Sequence, residues 1–390
     1  MDPVRNPYSP GAGSRPPALV GRDQQLDAFD VAIQRLSQGR PAKSMMLTGL
    51  RGVGKTVLLG EFGRIARSHG WVHETVEATQ GMDFERSMAT LARKAILRLS
   101  VGQRTAARAK RALGVLRAFQ ISYKLPEGGG DLELKLDPVA GSADSGDLDA
   151  DLAALFAELG SYAQSLDIGV LFTIDEVQYL TADQLSALIV ALHRVGQDQL
   201  PLMVAGAGLP SLPGLAGEAR SYAERMFSFP TIDSLDRAES SLALRAPAEA
   251  EGVAWDEDAL EEVLDLTSGY PYFLQEFGKQ AWDVAEGPGR ITLADVAEAV
   301  PIAILELDSG FFRSRFDRTS DRERAYIRAM TELGKGPHRS GEVAAQMGQT
   351  SSQVAPLRES LIRRGLCYSP RRGEIAFTVP MFDEYVLRRT

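Results

Sequence analysis

Residues 49–56 read Gly-Leu-Arg-Gly-Val-Gly-Lys-Thr and match the complete phosphate-binding loop pattern G-x-x-x-x-G-K-[ST]. In such a loop the glycines let backbone N–H groups turn onto phosphate oxygens, the lysine reaches the β and γ phosphates, and the hydroxyl ligates Mg²⁺. The apolar run at 44–48 predicts a buried strand, and the spacing at 57–69 predicts a helix whose N-terminus favours anions. The sequence therefore predicts a nucleotide and Mg²⁺ site in which Thr56 binds the metal and the nucleotide contacts come from Gly49, Gly52, Val53, Gly54, Lys55, Thr56 and Val57.

A second motif, Val-Leu-Phe-Thr-Ile-Asp-Glu at residues 170–176, is an apolar run of strand formers that ends in two acids. A buried central strand of this kind delivers its last side chains to the carboxyl edge of a parallel sheet. We expect Asp175 to hold Mg²⁺, directly or through water, and Glu176 to polarise the attacking water as the catalytic base. A similar sheet without nucleotide, in which both acids cap the following helix, is the alternative.

The composition is that of an ordinary globular protein, with 390 residues of which 44% are hydrophobic and 24% charged. This length predicts about two or three domains, and no apolar run approaches the ~20 residues that span a bilayer. The first residues lack the apolar region of a secretory signal, and the single cysteine, Cys367, forms no internal disulfide, so we expect a reducing cytoplasm. The histidines are too scattered for a zinc site, so Mg²⁺ is the only metal expected.

Proline and glycine divide the chain into segments. Residues 1–18 are rich in proline and predict an extended arm, and residues 19–233 predict a P-loop ATPase core. The core has a surplus at about 100–150, where apolar residues alternate on both sides of a glycine-rich turn and predict an inserted β-hairpin: Ile121, Tyr123 and Leu125, then Leu132, Leu134 and Leu136. The stretch 137–149 predicts a mobile segment, and a disordered insert is the alternative for the whole piece.

Strands alternate with helices along the rest of the core, with apolar runs at 200–205 and 227–229 that predict further strands. This order predicts an α/β fold with a doubly wound parallel sheet. From 234 to 310 the pattern becomes helical and predicts a helical lid.

The last part of the chain, 311–390, predicts a winged helix, because helices at 322–333, 340–347 and 351–364 precede two strands around the Pro-Arg-Arg-Gly turn at 370–373. In that fold the third helix faces the DNA major groove and the turn forms the wing. The predicted contacts to double-stranded DNA are Gln353, Arg358, Arg363, Arg364, Arg371 and Arg372. A winged helix that docks a protein is the alternative.

Charge is distributed unevenly along the chain. The formal net charge is −9, yet residues 320–390 carry 12 Lys and Arg against 8 Asp and Glu. A basic segment attached to an acidic body is compatible with a small nucleic-acid-binding module.

Taken together, these segments resemble the P-loop ATPases that combine an AAA+-like core, a helical lid and a C-terminal winged helix. Similar groups are the archaeal and origin-recognition-type initiator ATPases, the STAND signalling NTPases and a set of bacterial ATP-binding proteins. The resemblance covers roughly residues 19–390 and rests on Val20-Gly21-Arg22, the phosphate loop, Asp175-Glu176, the stretch 222–227 and Ser268-Gly269-Tyr270-Pro271.

The resemblance implies roles for residues outside the two motifs. Val20, Gly21 and Arg22 would lie against the base or ribose, and Tyr270 with Pro271 would close the adenine pocket from the lid. Arg225 would correspond to the arginine finger that AAA+ proteins extend to the γ-phosphate of a neighbouring subunit, whereas the comparable region of STAND proteins acts within one chain.

The alternative for Arg225 is a surface ion pair with Glu224 or Glu218. The chain also departs from the AAA+ pattern at two positions. The strand expected to end in a polar residue ends in Ala205-Gly206-Ala207-Gly208, and Tyr272 replaces the usual lid arginine. Both changes remove groups that would sense the γ-phosphate, so we expect slow turnover.

The sequence thus favours a cytoplasmic ATPase switch that binds ATP with Mg²⁺ and controls DNA binding or assembly through its winged helix. A nucleotide-dependent protein-interaction scaffold with little hydrolysis, working with a homo-oligomeric or other protein partner, is the second interpretation. A P-loop kinase is weakened by the winged helix. Adenine is inferred partly from the resemblance and partly because no Asn-Lys-x-Asp motif reads guanine.

Overall fold

The computed structural model describes residues 1–11, 13–100, 106–125, 137–287 and 289–389. The chain divides into two compact units. We call them the sheet unit, which comprises Gln24–Thr48 and Leu58–Thr231, and the lid unit, which comprises Met1–Asp23, Gly49–Val57 and Ile232–Thr390. The boundaries predicted at 19–233, 234–310 and 311–390 follow the chain and stay predictions; the two units instead group the phosphate loop and the N-terminal arm with the lid and the C-terminal part.

The sheet unit is built on five parallel strands in the order β2-β3-β4-β1-β5. Their bounds are β1 (Ser44–Thr48), β2 (Val72–Glu77), β3 (Val170–Asp175), β4 (Leu202–Gly208) and β5 (Phe227–Ser228). Thr48 of β1 lies opposite Gly208 of β4, and Ile174 of β3 lies opposite Gly206. The carboxyl ends of β1 and β3 therefore meet the same edge of the sheet.

Helices connect the strands on both faces. They are α1 (Asp23–Ser37), α2 (Lys55–Ser68), α3 (Phe84–Leu99), α4 (Ala106–Ser122), α5 (Leu148–Gln164), α6 (Ala182–Gln197), α7 (Leu212–Ala219) and α8 (Ala223–Met226). The chain crosses from β1 to β2 in one direction of the sheet and returns through β3 and β4 in the other. Because parallel crossovers are right-handed, this reversal places α2 and α6 on opposite faces, which gives the predicted doubly wound architecture.

The core of the sheet unit forms where α5 and α6 pack on the central strands. Phe156, Phe172, Ile174 and Leu188 are each fully buried there. Burial of side chains of this size contributes about 1.5–3 kcal/mol each. The continuous apolar run of β3 is thus explained by burial on both faces of the sheet.

The predicted β-hairpin is wrong in its first half, since Ile121 lies in the last turn of α4, which runs to Ser122. Its alternation arises from a helix end, where Tyr123 contacts the Phe119 ring at 4.7 Å between centroids and donates to Asp151 at 3.0 Å, while Ile121 is exposed. The second half, Leu132, Leu134 and Leu136, lies outside the described residues.

The segment predicted to be mobile also has fixed partners. The N–H of Val139 donates to the Gly114 carbonyl at 3.1 Å, and Ser145 and Gly146 donate to the buried Asp151 carboxylate. These contacts tie the described part of the 137–149 stretch to α4 and α5.

The lid consists of four helices and a short parallel strand pair. They are α9 (Arg237–Ala250), β6 (Ala254–Trp255), α10 (Glu257–Thr267), α11 (Pro271–Val284), β7 (Arg290–Ile291) and α12 (Leu293–Glu306). A capping box between Asp236 and Glu239 fixes the start of α9.

The C-terminal part combines helices with a small antiparallel sheet, an order compatible with the predicted winged helix, which stays a prediction. After a π-helical turn (Leu307–Phe312) and α13 (Arg313–Phe316) come α14 (Asp321–Glu332), β8 (His338–Arg339), α15 (Ser340–Gln346), α16 (Ser351–Arg363), β9 (Cys367–Tyr368), β10 (Glu374–Phe377) and α17 (Phe382–Arg389). The three strands form an antiparallel sheet in the order β8-β10-β9. Helix α16 packs on this sheet and on α14 through buried Val354 and Leu361.

Aromatic rings join the lid to the C-terminal part. Tyr272 of α11 stacks on Phe311 of the π-helical turn with centroids 4.6 Å apart, and Phe312 stacks on Tyr385 of α17 at 5.3 Å. Ring contacts of this kind add about 0.5–1.5 kcal/mol each beyond their buried area. The lid and the C-terminal part are thereby packed through one shared cluster.

Candidate nucleotide-binding site

The phosphate loop leaves the end of β1 and enters α2 at Lys55. Gly52 and Gly54 have φ angles of +83° and +95°, a region that favours glycine. The Lys55 ammonium donates to the carbonyls of Gly49 at 3.0 Å and Leu50 at 2.6 Å, and the residue is 7% exposed. The strand, loop and helix N-terminus that a phosphate group requires are all present.

Arg22 braces this loop from within the lid unit. Its guanidinium donates to the Val53 carbonyl at 3.2 Å and to the Asp233 carbonyl at 2.7 Å. Burial lowers the pKa of Arg22, although Glu239 and Asp233 act in the opposite direction. The resemblance placed Arg22 at the base or ribose, whereas the contacts of its side chain in the structure are to backbone carbonyls.

Its neighbours in the same motif are also packed closely. A β-carbon on Gly21 would lie 2.5 Å from the Glu239 carboxylate, so the position takes only glycine without rearrangement. Val20 is half-buried. The assignment of Val20 and Gly21 to the nucleotide stays a prediction.

Tyr270 lies directly against the phosphate loop. A β-carbon on Gly52 would be 3.0 Å from the Tyr270 hydroxyl and from its ring. The tyrosine is 1% exposed, and its hydroxyl has no hydrogen-bond partner within the described residues. Burial raises the pKa of this hydroxyl, so it remains a neutral donor. An unpaired buried donor beside a phosphate loop fits a ligand that brings an acceptor.

Pro271, predicted to close the adenine pocket with Tyr270, is the first residue of α11 and is half-buried. The fixed φ of proline suits the first helical position. Its place at the head of α11 holds the Tyr270 backbone at the helix N-cap.

Asp175 and Glu176 lie where β3 ends. The Glu176 N–H donates to the Asp175 carboxylate at 2.8 Å, and Glu176 adopts φ 54° and ψ 39°. A non-glycine residue in this left-handed region costs of order 1 kcal/mol or more and occurs preferentially at functional sites. Both acids thus occupy the carboxyl edge from which the phosphate loop also starts.

Gln178 is a residue of this site that sequence reasoning missed. Its side-chain amide donates to the Glu176 carboxylate, and its oxygen accepts the Leu209 N–H at 3.1 Å. A β-carbon on Gly208 would lie 2.9 Å from that oxygen, so the glycine at the end of β4 makes room for Gln178. The amide therefore occupies the place beside the end of β4 where the sequence lacks a polar side chain. The sequence signal that could have indicated this role is a polar residue two positions after Glu176.

Arg225 lies at the amino end of β5, beside the start of β1, since Phe227 pairs with Ser44. From Ser44 to Thr48, β1 itself spans about 13 Å at 3.3 Å per residue. Arg225 is exposed, and in the described part of the chain its side chain makes no hydrogen bond or ion pair, including none to Glu224 or Glu218. The surface ion pair considered as an alternative is therefore not formed.

The six side chains predicted to contact DNA fall into two groups. Arg358 donates to Ser369 and to the Glu374 carbonyl, Arg364 pairs with Glu323 and donates to the Arg318 carbonyl, and Gln353 caps α16. Arg363, Arg371 and Arg372 are exposed. The first three side chains make contacts within the C-terminal part. The assignment of all six to DNA stays a prediction.

No group of three or more His, Cys, Asp or Glu gathers as a metal cage in the described ranges. Mg²⁺ in nucleotide enzymes is held by one or two protein oxygens together with phosphates and water. The assignment of Thr56 and Asp175 to this ion stays a prediction. None of the described helices is both long enough and apolar enough to cross a membrane.

Residues 18–205 match the family described as AAA ATPase domain, and residues 309–386 match a domain of unknown function, DUF8462. A Walker-type ATPase of Pyrococcus abyssi has a similar structure, with 16% identity and a TM-score of 0.59 over 96% of this chain and 97% of that chain. That likeness supports the fold.

Two other solved structures are more distant. The Orc1 protein of Aeropyrum pernix in complex with DNA has 15% identity and a TM-score of 0.47 over 95% of this chain and 93% of that chain. The RuvB Holliday junction branch migration motor of Thermotoga maritima has 16% identity and a TM-score of 0.46 over 92% of each chain. No curated protein sequence matches. The protein is therefore a P-loop ATPase that resembles the AAA+ group and carries an AAA ATPase domain at residues 18–205.

Proposed function

We propose that this protein is a slowly hydrolysing, Mg²⁺-dependent ATPase switch whose nucleotide state controls DNA binding or assembly through the winged helix. One observation carries the proposal: the phosphate loop contacts the winged helix as well as the lid. A β-carbon on Gly365, at the end of α16, would lie 2.5 Å from an Arg51 guanidinium nitrogen, while Tyr270 of the lid contacts Gly52. A conformational change in the phosphate loop would thus directly alter the contact between Arg51 and the end of α16.

The chemistry assigned to the site uses few residues. Lys55 would exchange its two loop carbonyls for phosphate oxygens, and Thr56 and Asp175 would hold Mg²⁺. Bound Mg²⁺ would neutralise charge on the phosphates. Glu176 would accept a hydrogen bond from the attacking water and polarise it, and Gln178 would keep the carboxylate oriented.

Slow turnover follows from the groups that are missing or occupied. Tyr272, which replaces the usual lid arginine, is stacked on Phe311. Directly after β4 the Leu209 N–H already donates to the Gln178 side-chain oxygen. Few donors are therefore left to stabilise charge on a transferred phosphoryl group, and this favours a switch over a motor. The Gly-Tyr-Pro step at 269–271 also favours the STAND-like comparison.

The output surface is proposed to be the exposed basic side of the winged helix, with Arg363 at the end of α16 and Arg371 and Arg372 on the wing. Assembly would use Arg225, which is exposed just before β5 and would reach the site of a second copy. The single cysteine, Cys367, is buried and free, which agrees with a cytoplasmic protein.

A protein-interaction scaffold with little hydrolysis is the second proposal. It is favoured by the internal bonds of Arg358, Arg364 and Gln353, which leave a small basic surface for DNA.

One experiment separates the two proposals. Binding of a labelled DNA duplex is measured without nucleotide, with ADP and with ATP plus Mg²⁺, while light scattering follows the mass; Glu176→Gln holds the ATP state and Lys55→Ala removes nucleotide binding. DNA affinity that changes with nucleotide supports the switch. A change of mass without DNA binding supports the scaffold, and retained ATP affinity in Lys55→Ala would remove the phosphate-loop assignment.

A further inference from the structure

The N-terminal arm, residues 1–11 and 13–18, is bound along the lid. The Met1 ammonium donates to the carbonyls of Ala285 and Trp282 at the end of α11, and the Trp282 indole donates to the Asp2 carbonyl at 3.0 Å. Asn6 donates to the Lys279 carbonyl at 3.0 Å. The proline content predicts an extended arm, and the structure attaches this arm to helix α11 of the lid.

Tyr8 is the anchor of the arm. It is 3% exposed, its hydroxyl donates to the Leu244 carbonyl at 2.5 Å, and the Trp255 indole donates to that hydroxyl at 2.8 Å. A β-carbon on Gly278 would lie 2.9 Å from the Tyr8 ring, so the ring fits directly against the α11 backbone. Burial of this aromatic ring favours the bound arm.

The order of the contacts gives the arm a direction. Asn6 is held at Lys279, Tyr8 at Gly278, and the Ser9 N–H at Gln275. The arm therefore runs antiparallel to α11, toward Tyr270 and the phosphate loop.

Beyond these anchors the arm reaches the loop itself. A β-carbon on Gly13 would lie 3.1 Å from the γ-methyl carbon of Thr56 and 4.0 Å from its Cβ. The backbone of Gly13 thus lies beside the methyl group of the residue assigned to Mg²⁺. Thr56 itself is exposed, so its side chain is accessible to a ligand.

We propose that Gly13 is a positioning residue for the metal, which acts by confining the Thr56 γ-methyl group so that the hydroxyl takes the orientation that Mg²⁺ requires, with Tyr8 as the anchor. A threonine side chain has few χ1 rotamers, and a fixed methyl position fixes the hydroxyl. Replacing groups that orient metal ligands typically lowers metal affinity by about 10–100-fold. The inference rests on the proposed function, because it uses Thr56 as the Mg²⁺ ligand.

The test compares nucleotide affinity with and without metal. The dissociation constant of ATP is measured in EDTA and in Mg²⁺, and their ratio gives the contribution of the metal. In Gly13→Ala the added methyl group displaces the Thr56 side chain, so the ratio falls by about tenfold while affinity in EDTA stays the same. Gly70→Ala is the matched control, because Gly70 has φ +78° against +75° for Gly13 and nothing lies within 4 Å of its added β-carbon.

Thr56→Ser completes the test, since serine keeps the hydroxyl and lacks the γ-methyl group. In the Thr56→Ser background, Gly13→Ala has no further effect on the ratio. An equal loss in both backgrounds, or an equal loss in EDTA and Mg²⁺, would overturn the inference.

Tyr8→Ala provides an independent variant, in which release of the arm lowers the ratio and Tyr8→Phe, which keeps the ring, recovers most of it. An unchanged ratio in both Gly13→Ala and Tyr8→Ala overturns the positioning role and leaves the proposed function standing. Absence of ATP binding by the unaltered protein overturns the proposed function itself.

Discussion

The side-chain amide of Gln178 donates to the carboxylate of Glu176, and this contact links the predicted catalytic base to the end of β4 through the Leu209 N–H. Glu176 is held in a left-handed backbone conformation at the same point. The geometry thus combines a restrained backbone with a restrained carboxylate. A base held in this way is oriented before the nucleotide arrives.

Gln178→Ala removes that restraint. We expect kcat for ATP hydrolysis to fall by about tenfold, because small misplacements of a catalytic group are costly, while ATP affinity is retained. Steady-state hydrolysis and nucleotide titration measure the two effects. Gln164→Ala, at an exposed position at the end of α5, is the control. A change in ATP affinity with unchanged kcat would assign Gln178 to binding instead.

Arg225 is expected to act on a second copy. Arg225→Ala and Lys55→Ala are each expected to lack hydrolysis, and a mixture of the two should recover part of it, because an intact arginine then faces an intact phosphate loop. An arginine finger contributes about 10³-fold or more, so recovery is easily measured. If the mixture stays inactive over a range of protein concentrations, a single-chain switch replaces the trans assignment.

The wing is tested by the salt dependence of DNA binding. Arg371→Ala combined with Arg372→Ala should reduce the slope of log affinity against log salt by up to about 2, because each phosphate contact releases counterions. Arg40→Ala, exposed on the loop before β1, is the control and should leave the slope unchanged. The same slope in the wing variant and the unaltered protein would remove the wing from the interface.

His73 gives the sheet unit a specific pH dependence. Burial, followed by the charges of Arg67 and Arg98, lowers the pKa of His73 from 6.5 to about 4. Arg67 donates to its Nδ1 at 2.7 Å, and its Nε2 lies 2.9 Å from the Thr173 hydroxyl, a pairing that suits the neutral ring. Between pH 6.5 and 4 the unfolded chain binds the proton and the folded chain does not, so stability is lost as pH falls.

After allowance for solvent screening of this half-buried ring, the loss is about 1–2 kcal/mol. Urea denaturation at pH 7 and pH 4.5 measures it, and His73→Gln should remove that part of the difference. An equal pH dependence in the variant would show that other groups are responsible.

Sequence patterns within a few residues were enough to predict the elements whose formation depends on residues close together in the chain. The phosphate loop, β1 at Ser44–Thr48 and β3 at Val170–Asp175 follow from apolar runs and glycine spacing within a few residues. The hairpin prediction is wrong in its first half because Ile121, Tyr123 and Leu125 alternate at a helix end, where the half-buried Tyr123 contacts Phe119.

Contacts between distant residues left no local signal. The Tyr8 ring lies against Gly278 of α11. Its hydroxyl donates to the Leu244 carbonyl, 236 positions away in the sequence. Arg358 is predicted to contact DNA because a winged helix would present this helix to the major groove, yet its guanidinium donates to Ser369 and to the Glu374 carbonyl. Such roles depend on packing that only the folded chain defines.

We propose that the phosphate loop transmits the nucleotide state to the C-terminal winged helix through Arg51 and Gly365. The most direct measurement is the ratio of DNA affinities in saturating ATP plus Mg²⁺ and in saturating ADP, for the Glu176→Gln protein with and without Arg51→Ala. We predict a ratio of about 5–150-fold, the usual range of such coupling, which falls toward one when Arg51 is replaced. A ratio of one in the Glu176→Gln protein, or an unchanged ratio after Arg51→Ala, would contradict transmission of the nucleotide state through Arg51.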